Sequence, residues 1–326
     1  MRIAVLGAGA WGSALALSFA AAHDVRLWAR HREACAELLR RRASPYLPEV
    51  AFPAELRIEA DLDAALAASD LVIVATATAG LRETAAAVAQ IRPDLSLLWA
   101  CKGFEAGTDL LPHRILEEAL PRSARTGALS GPSFALEVAR GQPTALTIAS
   151  RHASFAAEMA VALNSARLRM YSSNDLVGVE LGGALKNVVA IAAGICDGLG
   201  LGTNARAALI TRGLAEMARL GVRMGGQPET FMGLTGLGDL VLTATGDLSR
   251  NRTVGMRLAK GQSLAVILAE LGHVAEGVST ARAARALAAR HGVEMPITEA
   301  VCGVLFEGIA AAEAVQRLLA RDPRAE

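Results

Sequence analysis

The sequence predicts an α/β protein, with a helix-covered parallel sheet in the N-terminal half and an all-helical C-terminal half. Three observations carry this reading. Apolar runs of strand length alternate with alanine-rich segments of helical spacing through the first half. A glycine-rich turn directly follows the first run. After Asn174 the strand-like runs stop, and long helical stretches separated by glycine-rich turns take over.

The elements follow in order. Strand-like runs lie at 2–6, 25–29, 71–75, 95–100, 126–129 and 145–149, with a further short strand at 167–171. Helical spacing marks 11–22, 32–41 and 79–91 between them. Such alternation argues for parallel strands, because each crossover travels back over a sheet face. Beyond Asn174, helices are expected at 176–196, 205–220, 254–260, 279–291 and 297–307. The expected domains are 1–174 and 175–326, with the helix from Leu176 joining them and a frayed polar tail at 321–326. No internal repeat or low-complexity linker interrupts the chain.

The chain has 326 residues, is 52% hydrophobic and 20% charged, and carries a net charge of +1. It can bury two cores, and no bulk charge directs it to nucleic acid or an anionic membrane. The four cysteines, Cys35, Cys101, Cys196 and Cys302, form no C-x-x-C pair, and the six histidines show no H-x-x-x-H spacing. The reading is therefore no disulfide framework, no metal and a reducing cytoplasm. No run approaches the ~18 apolar residues of a membrane span. Only three of the 33 basic residues are lysines: Lys102, Lys186 and Lys260. Arginine stays charged, whereas lysine can exchange a proton, so each lysine invites a chemical explanation.

The first motif is G-x-G-x-x-G at 7–12, between a strand and a helix. In a Rossmann-like dinucleotide site Gly7 permits the tight turn, Gly9 admits the pyrophosphate to the backbone, and Gly12 lets helix and strand pack closely. An NAD enzyme places a carboxylate at the end of the second strand; here Arg30-His31-Arg32 stands instead. Guanidinium groups suit a 2′-phosphate, so NADPH is the preferred cofactor, with NADH possible. Lys102 follows the strand expected at 95–100, at a carboxyl end where ligands bind in open α/β sheets. Ser130-Gly131-Pro132-Ser133 follows another strand; chemistry alone favours a helix cap by Ser130 or Ser133.

Gly182 and Gly183 lie together inside a helical pattern, at a cost of roughly 1 kcal/mol each against alanine, so something must approach that helix closely. Lys186 follows in apolar surroundings that would lower its pKa toward neutrality. Asp239 could orient a lysine and keep it charged. Ser249 could cap the helix that continues through 254–260, where an anion would meet free N–H groups and Arg250. Lys260 before Gly261 reads as a cation at a helix C-terminus.

Six stretches together resemble the NAD(P)-dependent glycerol-3-phosphate dehydrogenase family. They are GAGAWG at 7–12, CKGFE at 101–105, SGPSFA at 130–135, ELGGALKNVVAIAAGICDGLGLG at 180–202, GLGDLVLTATGDLSRNRTVG at 236–255 and HVAEGVSTA at 273–281. The resemblance implies a Rossmann-like NAD(P)-binding domain, a helical substrate-binding domain and a site between them. It implies reversible reduction of dihydroxyacetone phosphate to sn-glycerol 3-phosphate, serving glycerophospholipid synthesis, by a cytoplasmic homodimer. Lys186 would be the general acid, Lys102 would assist it, and Asp239 would hold the lysines. Substrate would also meet Gly131, Ser133, Asn187, Thr243, Ser249, Arg250 and Asn251. The cofactor would meet Gly7, Gly9, Trp11, Gly12, Arg30, His31, Lys102, Ala135, Arg250, Val274 and Glu276. Two other readings stay open: a related β-hydroxyacid dehydrogenase or ketopantoate-type reductase, and an NADPH-binding protein without turnover. The GLGDL and SRN segments speak against the former, and intact Lys102, Lys186 and Asp239 against the latter.

Overall fold

The computed structural model describes residues 1–271 and 275–320. They form two compact units: Met1–Glu105 with Leu110–Leu176, and Ala106–Asp109 with the chain from Val177 onward.

The first unit holds ten strands: β1 Arg2–Leu6, β2 Asp24–Trp28, β3 Ala43–Ser44, β4 Leu47–Ala51, β5 Arg57–Glu59, β6 Leu71–Val74, β7 Ser96–Trp99, β8 Thr126–Ser130, β9 Thr144–Ala149 and β10 Leu168–Ser173. Eight of them form one sheet in the order β10-β9-β8-β7-β6-β1-β2-β5. The central strands are apolar without alternation because both faces are covered; Ile3–Leu6 and Leu71–Val74 are wholly buried. Neighbours pair in parallel with one exception: β8 and β9 are antiparallel, against the expectation of a purely parallel sheet. Only the five-residue helix Ala135–Ala139 connects those two strands. At 1.5 Å per residue it spans roughly 8 Å, too short to carry the chain back along the sheet, so β9 starts at the edge where β8 ended.

Three strands escape the sequence pattern. The β3–β4 hairpin has a two-residue arm and a proline in its second strand, and β5 is a three-residue edge strand with one buried side chain. β3 and β5 are too short to show a period of two, and the five residues of β4 contain a proline and do not alternate in burial.

Among the described residues of the second unit, every regular element is a helix. The helix Leu176–Gly198 is long and apolar enough to cross a membrane, with a mean hydropathy of 1.5, contrary to the expectation that no segment would be. However, 89% of that window is buried inside the protein, so it serves as the central core helix. Its glycines set how near its neighbour comes. A Cβ on Gly194 would stand 2.0 Å from the Arg252 carbonyl oxygen, and one on Gly255 would stand 2.0 Å from that of Ile191. The helix Arg250–Ala259 therefore crosses Leu176–Gly198 backbone against backbone. It begins at Arg250, directly after Ser249, the residue expected to cap it.

A buried acid sits on the helix Gly202–Arg223. Glu216 is 2% exposed and accepts N–H bonds from Ile297 at 2.7 Å and Thr298 at 3.3 Å, closing the start of the helix Pro296–Phe306. Burial raises its pKa to about 7, partly offset by those amides and by Arg219. A raised carboxyl binds its proton more tightly folded than unfolded, so stability should fall as pH rises from the unfolded value near 4.5 through about 7. The loss should approach about 3 kcal/mol, and Glu216→Gln should lack this slope. Urea midpoints at both ends of that window check this; equal slopes in both proteins would remove Glu216 as the cause.

Candidate active site

The first unit holds the glycine turn expected to cradle a nucleotide. Gly7 has φ +116°, and a Cβ there would meet the Ala75 carbonyl oxygen at 2.9 Å. A Cβ on Gly12 would stand 1.8 Å from the Gly7 carbonyl oxygen, so the helix Ala10–Ala20 is seated directly on the turn. Around the Cβ position of Gly9, by contrast, nothing lies within 4 Å. That open space faces a helix start whose first amides have no intrahelical acceptor, which fits the pyrophosphate of a dinucleotide. Two further buried hydroxyls, Thr76 Oγ1 after β6 and Ser130 Oγ at the end of β8, have no partner among the described residues. They lie at strand carboxyl ends, where such ligands bind. Trp11 and Ala135 are half-buried and pack in the same small apolar cluster with Leu47 and Val138.

Arg30 and His31 are exposed after β2, with His31 at the N-cap of the helix Arg32–Arg41. Arg30 pairs at 3.1 Å with Glu83, a residue of the helix Leu81–Ile91 that the sequence does not single out. With 59% and 69% of the two side chains exposed, this pair holds Arg30 only weakly.

Lys102, Gly131 and Ser133 come together. Lys102 Nζ donates to the Gly131 carbonyl oxygen at 3.2 Å, and Ser133 Oγ donates to the same oxygen at 3.0 Å. Thr78 Oγ1 donates to the Lys102 carbonyl oxygen at 3.2 Å. The helix cap favoured for Ser130 or Ser133 does not form. Phe134 occupies the N-cap of Ala135–Ala139 without a side-chain bond, because Ser133 turns back to Gly131.

In the second unit Lys186 is 7% exposed, and its Nζ donates to Asp239 Oδ1 and, at 2.8 Å, to Thr243 Oγ1. The side chain is buried, and its amine faces a carboxylate and a hydroxyl rather than apolar groups. Asp239 is 1% exposed and opens the helix Asp239–Thr245, where the helix dipole favours a carboxylate. Directly before it, Leu234–Gly238 forms a π-helical turn. This turn is what presses on the paired glycines: a Cβ on Gly182 would stand 2.6 Å from the Thr235 carbonyl oxygen. The glycine thus brings the segment carrying Asp239 within reach of Lys186, one turn further along its own helix.

Asn187 and Asn251 are buried and joined: Asn251 Nδ2 donates to Asn187 Oδ1 at 2.9 Å. Asn251 Oδ1 also accepts the Gly277 N–H at 3.0 Å, next to the half-buried Glu276. Ser249 caps its helix, accepting the Arg252 N–H at 3.2 Å, and Arg250 beside it is exposed. Lys260 closes the same helix at its C-cap. Val274 lies outside the described residues.

The turn at 7–12 has the glycine geometry that a dinucleotide-binding turn requires, and a buried amine held by a carboxylate is what proton delivery to a carbonyl oxygen needs. The class so defined is the dinucleotide-dependent oxidoreductases. Comparison with known proteins narrows it. The family model described as NAD-dependent glycerol-3-phosphate dehydrogenase N-terminus matches residues 2–156, and the corresponding C-terminus model matches residues 175–316. A protein of Thiobacillus denitrificans named glycerol-3-phosphate dehydrogenase [NAD(P)+] is 61% identical over 100% of both chains. One of the same name from Aromatoleum aromaticum is 58% identical, also over 100% of both. The crystal structure of glycerol-3-phosphate dehydrogenase from Coxiella burnetii superposes with a TM-score of 0.93 at 40% identity, covering 98% of this chain and 99% of that one. The chain belongs to the NAD-dependent glycerol-3-phosphate dehydrogenase family.

Proposed function

We propose that the protein reduces dihydroxyacetone phosphate to sn-glycerol 3-phosphate, reversibly, with NADPH preferred over NADH. The observation that carries the proposal is the buried Lys186 amine, fixed between Asp239 and Thr243 in a chain of this family. The bound nicotinamide supplies the hydride. Lys186, charged beside Asp239, stabilises the negative charge that develops on the ketone oxygen and then delivers a proton to it. Asp239 and Thr243 hold the amine in one orientation, and Lys102 assists it. Gly131 and Ser133 line the substrate, and Asn187 supports it through Asn251. Ser249, Arg250 and Asn251, at a helix N-terminus, hold the substrate phosphate, a charge remote from the reacting carbon. Gly7, Gly9, Trp11, Gly12, Ala135 and Glu276 serve the cofactor.

The preference for NADPH rests on exposed Arg30 and His31 after β2. A cytoplasmic setting is supported by four buried cysteines, none of them in a disulfide. A homodimer is supported by the groove of about 1450 Å³ on the helical unit, which Leu201, Val222 and Leu319 line with exposed apolar side chains. The product, a phosphorylated glycerol with two free hydroxyls, is suited to acylation in glycerophospholipid synthesis.

Purified protein with dihydroxyacetone phosphate should consume NADPH rapidly and NADH slowly. Arg30→Glu should raise KM for NADPH on the order of 10- to 100-fold, the worth of one charge-assisted contact, and leave NADH use near wild type. Equal loss with both cofactors would refute the role of Arg30. No oxidation of either cofactor, despite cofactor binding, would refute the activity.

A further inference from the structure

The segment at 249–251 continues into a residue that the reaction does not use. Arg252 is nearly buried, its side chain 12% exposed. Its Nε donates to Asp197 Oδ2 at 2.7 Å, and a terminal nitrogen donates to Asp247 Oδ1 at 2.9 Å. Asp197, 14% exposed near the end of the helix Leu176–Gly198, also accepts from Arg206 at 3.0 Å and 3.2 Å. Asp247 differs, with a side chain 98% exposed.

Position on the helix separates Arg252 from Arg250. Two residues along an α-helix turn the side chain through roughly 200°, so the two guanidinium groups point to nearly opposite sides. Arg250 is exposed, whereas Arg252 is turned onto the core helix and engaged by carboxylates. The Arg252 backbone is held as well. Its N–H is bound by Ser249 Oγ at 3.2 Å, and its carbonyl oxygen lies against Gly194 so closely that no side chain fits there.

We infer that Asp197 and Arg252 are positioning residues for phosphate recognition: their largely shielded ion pair fixes the first helical turn that presents Ser249, Arg250 and Asn251. The inference rests on the proposed reading of that segment as the phosphate site. The physical reason is directional. Hydrogen bonds to a phosphate tolerate only small displacements, and a first turn anchored on one side alone would sample several. Arg206 ties Asp197 to the next helix, Gly202–Arg223, so the carboxylate is itself held in place. Asp247 is a weak contributor because water screens it.

The test compares Asp197→Asn, Asp197→Glu, Arg252→Lys and Asp247→Asn in the full chain. KM and kcat are measured for dihydroxyacetone phosphate, and inorganic phosphate is titrated calorimetrically. Asp197→Asn should raise KM on the order of 10-fold, keep kcat within about twofold and weaken phosphate binding to match. Asp197→Glu should recover part of the loss, Arg252→Lys should reproduce it more mildly, and Asp247→Asn should stay near wild type. A folded Asp197→Asn with unchanged phosphate affinity overturns the proposal, as does a fall in kcat at constant KM. If Asp197→Asn does not fold, Arg252→Lys and Asp197→Glu decide by the same criteria. If the wild type binds phosphate but does not turn over dihydroxyacetone phosphate, weaker binding in the variants upholds the positioning role and refutes the substrate reading. A wild type that binds no phosphate overturns both.

Discussion

Lys186→Arg is expected to lower kcat by a factor on the order of a thousand, within the range for loss of a positioned general acid. The substitution keeps the positive charge, so it separates charge from proton delivery. Arginine does not release a proton near neutral pH, and its planar fork is larger than an ammonium. Lys186 is 7% exposed, with its amine already placed between Asp239 and Thr243. A guanidinium there must displace one of those partners or crowd the substrate. Cofactor affinity, read by NADPH fluorescence, should stay near wild type, because the nucleotide cradle belongs to other residues. Retention of more than about a tenth of kcat would take Lys186 out of proton transfer, since loss of a general acid costs at least about a hundredfold.

The second large effect is expected at the glycine turn, where two neighbouring substitutions should fail in different ways. Gly12→Ala places a Cβ 1.8 Å from the Gly7 carbonyl oxygen, a backbone atom that cannot step aside. The helix Ala10–Ala20 must lift from β1, costing about 1–3 kcal/mol or more of stability and displacing the amides that meet the pyrophosphate. Gly9→Ala meets nothing within 4 Å, so its melting temperature should stay close to wild type. Its methyl group nevertheless enters the space left for the cofactor. NADPH affinity should fall steeply in both, and melting temperature only in Gly12→Ala. Wild-type NADPH affinity in Gly9→Ala would show that the open space is not where the dinucleotide lies.

Several parts of this arrangement were legible from residue order. The strands that later proved central were visible as apolar runs, because burial on both faces removes alternation. The turn at 7–12 was legible because its three glycines answer local backbone demands: a positive φ at Gly7, an open space at Gly9 and a close seat at Gly12. The cost of adjacent glycines in a helix pointed to a close neighbour at Gly182, although not to which one. Lysine scarcity singled out Lys102 and Lys186 before either had a partner.

Other features lay beyond it. No local signal shows that β9 runs antiparallel, since that follows from how far a five-residue helix can reach. The Glu83 partner of Arg30 lies 53 positions away, on another helix. The π-helical turn before Asp239 is set by its packing on Gly182 and Phe231, where a Cβ on Gly236 would stand 2.1 Å from the Phe231 carbonyl oxygen. The roles of Glu216 and Asp197 were likewise invisible: each is an ordinary acid in a helical stretch until distant residues close around it. The sequence alone determined the fold class, the nucleotide turn and the residues able to do chemistry, because each depends on local spacing and residue type. The tertiary structure alone decided which of those residues are charged against which, and at what distance, because burial and pairing arise only when segments far apart in the chain are brought together.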